Sequence, residues 1–84
     1  MKWTVLWKPT AEASLTELWL HADDKASVPA AANRIDAALR RDPLSVGESR
    51  DRGRRVHFDL PLGVLFTVDA MDRTVFIIQV WRVN

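Results

Sequence analysis

Residues 54–82 read RRVHFDLPLGVLFTVDAMDRTVFIIQVWR, three runs of strand character separated by two compact breaks. From Arg54 to Leu60 the chain alternates. Val56, Phe58 and Leu60 fall on one side and Arg55, His57 and Asp59 on the other, the period-two pattern of a half-buried strand. Pro61-Leu62-Gly63 is a tight connection, and Leu62 to Asp69 is largely apolar. Ala70-Met71-Asp72-Arg73 turns the chain back. Thr74 to Arg82 is nearly continuous apolar, broken by Gln79, as expected of an interior strand covered on both faces. Three consecutive strands with short links make a meander.

Upstream of the meander, Leu44 to Gly53 reads as a loop in which Gly47 and Gly53 bracket the charged run Glu48-Ser49-Arg50-Asp51-Arg52. Before it, Val28, Ala32, Ile35, Ala38 and Leu39 recur at helical spacing. They predict a helix that ends at Arg41, before Asp42-Pro43. Ser27 is its expected cap, with Asp24 as an earlier possible start. Pro29 is tolerated in the first turn. Asp36 and Arg40 stand at i, i+4, and Arg40 and Arg41 suit the negative helix C-terminus. A shorter amphipathic helix, about residues 10 to 22, carries Ala11, Leu15, Leu18, Trp19 and Ala22, with Thr10 as cap and Glu12 in its first turn. Trp3, Val5 and Trp7 alternate with Thr4 and Leu6 in a first strand that Pro9 ends.

The order is strand, helix, helix, strand, strand, strand. Such a chain folds as a two-layer α+β domain over residues 1–84. A two-helix hairpin packs on one face of a four-stranded, mainly antiparallel sheet. With the first strand beside the apolar last one, the order is first, fourth, third, second. The charged strand 54–60 then lies at the edge.

Composition narrows the function classes. Eighty-four residues make one small domain. There is no Cys, so disulfides and thiol catalysis are excluded, and two His cannot make a closed Cys/His zinc site. No metal or other cofactor is expected. No stretch approaches the roughly 20 apolar residues of a membrane span, and the N-terminus shows no apolar signal core. The expected location is therefore the cytoplasm. A net charge of +1 gives a weak overall field. Its distribution is uneven, with Glu12, Glu17, Asp23 and Asp24 early and Arg40, Arg41, Arg50, Arg52, Arg54 and Arg55 in the middle.

Several short segments stand in order along the chain: Trp7-Lys8-Pro9-Thr10-Ala11-Glu12, Arg34-Ile35-Asp36-Ala37-Ala38-Leu39 with Asp42-Pro43, Gly47-Glu48-Ser49-Arg50, Arg54-Arg55, Pro61-Leu62-Gly63-Val64, Val68-Asp69 and Asp72-Arg73-Thr74-Val75. Together they resemble the RelE/ParE toxins of bacterial type II toxin–antitoxin modules. The match covers nearly the whole chain and rests on order and spacing. The resemblance implies the βααβββ fold and a cognate antitoxin whose tail wraps and neutralises the toxin. It implies one of two targets: DNA gyrase in the ParE-like branch, or messenger RNA in the ribosomal A site in the RelE-like, metal-independent ribonuclease branch.

In the RelE-like branch, basic residues on the sheet and a group near the C-terminus carry the chemistry. The matching positions are Arg54 or Arg55, and Trp81-Arg82. An Arg fork suits phosphate oxygens but is a poor general base. His57, with an ordinary pKa near 6.5, is the plausible proton-transfer group near the basic strand. Arg55, His57 and Asp59 share one strand side. They are either a site, with His57 oriented by Asp59, or a solvent-facing stripe. Arg50 and Arg52 belong to a run that is either a solvated loop or an anion contact for RNA or an acidic antitoxin segment. His21 sits at a helix end. Trp19 is expected in the core. Trp3, Trp7 and Trp81 are placed on strands, able to share one face as core, as base-stacking groups or as a peptide anchor.

The departures from the ribonuclease pattern are specific. Leu62 to Asp69 carries no Lys or Arg, there is no Tyr, and the sequence to Asn84 shows no basic tail. The expectation is a toxin working through protein contacts, with gyrase as target. The alternatives are a ribosome-dependent endoribonuclease and a degenerate, non-toxic member.

Overall fold

A computed structural model describes residues 2–83. β1 (Thr4–Trp7) leads into α1 (Pro9–Leu20) and α2 (Ser27–Arg41). Four strands follow: β2 (Glu48–Ser49), β3 (Arg54–Asp59), β4 (Leu62–Asp69) and β5 (Thr74–Arg82). A short 3-10 turn, Asp51–Gly53, joins β2 to β3. The sheet order is β1-β5-β4-β3-β2, with β1 parallel to β5 and every other pair antiparallel. The α+β class and the seating of the first strand beside the last agree with the sequence. The sheet has five strands rather than four. The added strand is two residues of what reads as a loop, too short and too polar to show alternation. It also moves β3 off the margin, since Glu48 and Ser49 pair with Val56 and Arg55.

Local chemistry sets the helix ends. Pro9 opens α1, where its missing N–H leaves no bond unmade. Lys8 rather than Thr10 is the cap, and it caps with extended backbone alone. At the other end Lys25 Nζ donates to the Trp19 and Leu20 carbonyls at 3.1 and 2.7 Å. These are groups the helix leaves unbonded. Ser27 is the first residue of α2, not its cap, and its Oγ donates to the Asp24 carbonyl at 2.8 Å. Asp36 and Arg40 pair at 3.2 Å, as their spacing predicts.

The core lies between the helices and one face of the sheet. α2 buries Val28, Ala31, Ala32, Ile35 and Leu39 against Val5, Leu62, Val64, Phe66, Val75, Ile77 and Val80. Burying a side chain such as Ile35 or Phe66 contributes about 1.5–3 kcal/mol. α1 sits more shallowly: Ala11 is buried, and Leu15 and Leu18 are half-buried. Trp19 lies outside the core at 42% exposure, with Lys25 Nζ 5.4 Å above its ring. A bulge at Ile78, where Ile77 and Gln79 face Phe66 and Leu65, shifts the phase of β5. Both helices cover the same face, so the other face of β5 carries half-buried Phe76 and Trp81 with no layer above them. Among the described residues no helix is long and apolar enough to cross a membrane.

Candidate functional site

Directly opposed residues in a ladder point to the same face of a sheet. Arg55 stands opposite Phe66, His57 opposite Val64 and Asp59 opposite Leu62. Phe66, Val64 and Leu62 are fully buried beneath the helices. The stripe Arg55, His57 and Asp59 therefore faces the helix layer. Val56 and Phe58, opposite Leu65 and Gly63, face the open side. This reverses the expectation that the polar stripe meets solvent. Arg55 and Asp59 are tolerated there because protein partners replace water around them.

Those partners leave little capacity for other work. Asp59 accepts from Arg34 of α2, at 3.0 Å from Nε and 2.8 Å from Nη2, and Nη2 also reaches the Leu60 carbonyl at 3.2 Å. The hydrogen bond to Asp59 raises the Arg34 pKa, with desolvation opposing it. Arg55 spreads its fork over the chain before β2. Nε and Nη2 hold the Val46 carbonyl at 3.1 and 3.0 Å, Nη2 reaches the Gly47 carbonyl at 3.2 Å, and Nη1 reaches Ser49 Oγ at 2.9 Å. His57 lies between them, half-buried. Desolvation lowers its pKa, and the nearby Asp59 charge acts in the opposite direction. No hydrogen bond joins His57 to Asp59 among the described residues, because the carboxylate is engaged by Arg34.

The open face has a different character. One row across it runs Leu6, Phe76, Thr67, Arg54, and a second runs Gln79, Leu65, Val56, Glu48. A third runs Trp81, Gly63, Phe58. Phe58 and Trp81 meet edge to face, ring centroids 6.0 Å apart and planes at 81°. They close over Gly63, where an added Cβ would lie 2.7 Å from Trp81 Cε2 and 2.9 Å from Phe58 Cδ1. Phe58 stays 49% exposed. Lys8 Nζ stands 4.8 Å from the Phe76 centroid. Arg54 Nε reaches the Asp51 carbonyl at 3.4 Å. The turn beside it holds Arg50, whose Nη2 lies 3.5 Å from Glu48, and Arg52, in left-handed backbone at φ 63°.

Arg82 stands opposite Leu62, on the helix side, and its groove is completed by Glu17, Leu18, His21 and Asp23. Carboxylates in that lining disfavour a phosphate. His21 Nε2 lies 3.2 Å from Glu17 at the end of α1. Trp3, Val5 and Trp7 face the helices, with the Arg73 guanidinium 4.5 Å over the Trp3 ring. Trp81 is on the opposite side and does not share their face.

The seven candidate residues thus divide. Arg54 and Trp81 are on the open face, Arg50 and Arg52 are in the turn at its rim, and Arg55, His57 and Arg82 are on the helix side. A base, an acid and a phosphate-holding cation are not assembled in one place. Among the described residues no group of His, Asp and Glu could hold a metal ion. Sequence reasoning missed Arg34, Phe58 and Gly63 as site-shaping residues. A glycine inside an apolar strand was the available signal, since it marks a close approach of other groups.

No protein-family model matches the sequence, and no curated sequence matches it with significance. Solved structures do match. A chain of the toxin–antitoxin complex RelBE2 from Mycobacterium tuberculosis is similar over 98% of this chain and 92% of its own, with 25% identity and a TM-score of 0.82. A chain of the chromosomal ParDE TA system from P. aeruginosa is similar over 98% of this chain and 97% of its own. Its identity is 18% and its TM-score 0.66, a likeness of fold.

Proposed function

We propose that this chain, a RelE/ParE superfamily toxin by its structural likeness, is the toxin of a type II toxin–antitoxin module. In this reading it is held by a cognate antitoxin and acts through protein contacts, with DNA gyrase as its target. One observation carries the choice of contacts over catalysis: Arg55 and His57 turn away from the open face. Metal-free RNA cleavage needs a proton acceptor beside the 2′-hydroxyl and positive charge on the phosphate. On the open face Arg54 supplies charge, and no His stands with it.

A second reading, a ribosome-dependent endoribonuclease, is favoured by the greater likeness to the RelBE2 chain. Induced expression separates the two, with growth, messenger-RNA cleavage mapping and gyrase supercoiling measured in parallel. Loss of supercoiling with intact RNA supports the inhibitor. Codon-phased cuts abolished by Arg54→Ala support the nuclease. Unaffected growth with neither target responding removes the toxin reading.

A further inference from the structure

We infer that the groove between the two helices is a binding site for a small organic cation with an apolar tail, its ammonium held between Glu12 and the Trp7 ring and its tail lying toward Trp19. The groove is on the helix side of the molecule, away from the open sheet face, and its use does not depend on the chain being a toxin.

The groove exists because α1 sits shallowly on the sheet. Of its residues only Ala11 is buried. Small side chains, Thr16 of α1 and Ala32 of α2, stand where the helices face each other and leave the space between them open. Two cavities result. One, of about 260 Å³, has Trp7, Glu12, Asn33 and Asp36 in its lining. The other, of about 390 Å³, has Trp19, Val28 and Pro29. Leu15 and Thr16 line both, so the two adjoin. Thr16 donates its hydroxyl to the Glu12 carbonyl at 3.1 Å, so the junction offers a ligand mainly apolar surface.

Charge sets the sense of the ligand. The Glu12 carboxylate makes no ion pair among the described residues, and the Asn33 side chain makes no hydrogen bond among them. Asp36 adds a second carboxylate, shared with Arg40 at 3.2 Å. An indole ring beside carboxylates suits an ammonium, which the ring face and the negative charge both attract. At the other end the sign reverses, because Lys25 Nζ stands 5.4 Å from the Trp19 ring centroid. A second cation is disfavoured there, so a polyamine fits poorly, whereas an uncharged tail gains from burial against Trp19, Val28 and Pro29. From Glu12 to Trp19 the helix rises about 10 Å, the reach of an extended chain of about eight carbons.

The test titrates the isotope-labelled chain with octylammonium below its micelle concentration, and with butylammonium, octanoate and spermidine. Octylammonium is expected to shift the amides of Glu12 to Trp19 and of Val28 to Asp36, together with the Trp7 indole, and to saturate. Butylammonium binds about tenfold more weakly, because fewer methylenes are buried. Octanoate and spermidine leave these signals in place. Glu12→Gln weakens octylammonium about fivefold, the scale of an exposed ion pair, and Glu12→Asp restores most of the loss. Trp19→Ala narrows the gap between the octyl and butyl chains. All three variants keep the wild-type fold, since both side chains are exposed. The proposal is overturned by the absence of a saturable shift, by shifts confined to Phe58 and Trp81 on the open face, or by equal binding of octanoate or spermidine. Wild-type affinity in Glu12→Gln also overturns it.

Discussion

Arg55 reaches back along the chain to hold the carbonyl of Val46, with Nε at 3.1 Å and Nη2 at 3.0 Å. That grip fixes the approach to β2, a strand too short to hold itself. Arg55→Ala is expected to loosen residues 44–50 and to lower stability by about 1–2 kcal/mol, the scale of lost hydrogen bonds at a partly buried site. Arg55→Lys rescues little, since an ammonium cannot span both carbonyls and Ser49 Oγ. Hydrogen exchange at Gly47 to Arg50 checks this. A fully stable Arg55→Ala with unchanged exchange contradicts it.

His57 makes the fold sensitive to mild acid. Its folded-state pKa is lowered, chiefly by desolvation. The unfolded chain therefore takes up the proton first, near the ordinary value of 6.5. Stability is complete above that pH. It falls as pH drops from there toward the lower folded pKa, and the loss levels off below it. Chemical unfolding of the wild type and His57→Gln at matched pH isolates this share from that of the carboxylates. The gap between them should narrow or reverse on acidification, and a gap independent of pH rules the effect out.

Gly63→Ala tests the aromatic seat. The new methyl meets Trp81 and Phe58 below normal contact distance. Overpacking of this kind costs about 1–3 kcal/mol. Combining it with Phe58→Ala should recover part of that loss, because one of the two obstructing rings is removed. A double-mutant cycle on melting temperature reads the coupling, and strictly additive effects argue against contact.

Gly47 and Gly53 both have positive φ, at 74° and 73°, yet they should respond differently. A Cβ on Gly47 collides with the Val56 carbonyl, which is backbone and cannot swing aside. At Gly53 a Cβ meets open space. Gly53→Ala is expected to lose about 1 kcal/mol from backbone conformation alone. Gly47→Ala should lose more and should release β2 from β3. Equal losses would place the cause in conformation only.

The helices and the meander are legible in the sequence because their apolar spacing is long and regular, as Val28, Ala32, Ile35 and Leu39 show. The orientation of β3 is not. Alternation tells which of Arg55, Val56, His57 and Phe58 share a side, but not which side the helices cover. The partners that make the polar side tolerable, Arg34 and the Val46 carbonyl, are distant in sequence and leave no local pattern. Trp19 misled for a related reason: helical spacing placed it with Leu15 and Leu18, whereas α1 lies too shallow on the sheet to bury it. The open-face pair of Phe58 and Trp81 stayed hidden because it depends on the register that sets both against Gly63.

The parallel pairing of β1 with β5 joins Thr4 to Thr74, nearly the whole length of the chain apart. Contacts so far apart in sequence carry a loop-closure entropy cost, which slows folding. β1 cannot be seated until β5 has left the ribosome, and until then Trp3 and Val5 lack the strand they pack beside. The first strand of the chain is thus the last that the sheet can take in, since its only neighbour among the described strands is β5.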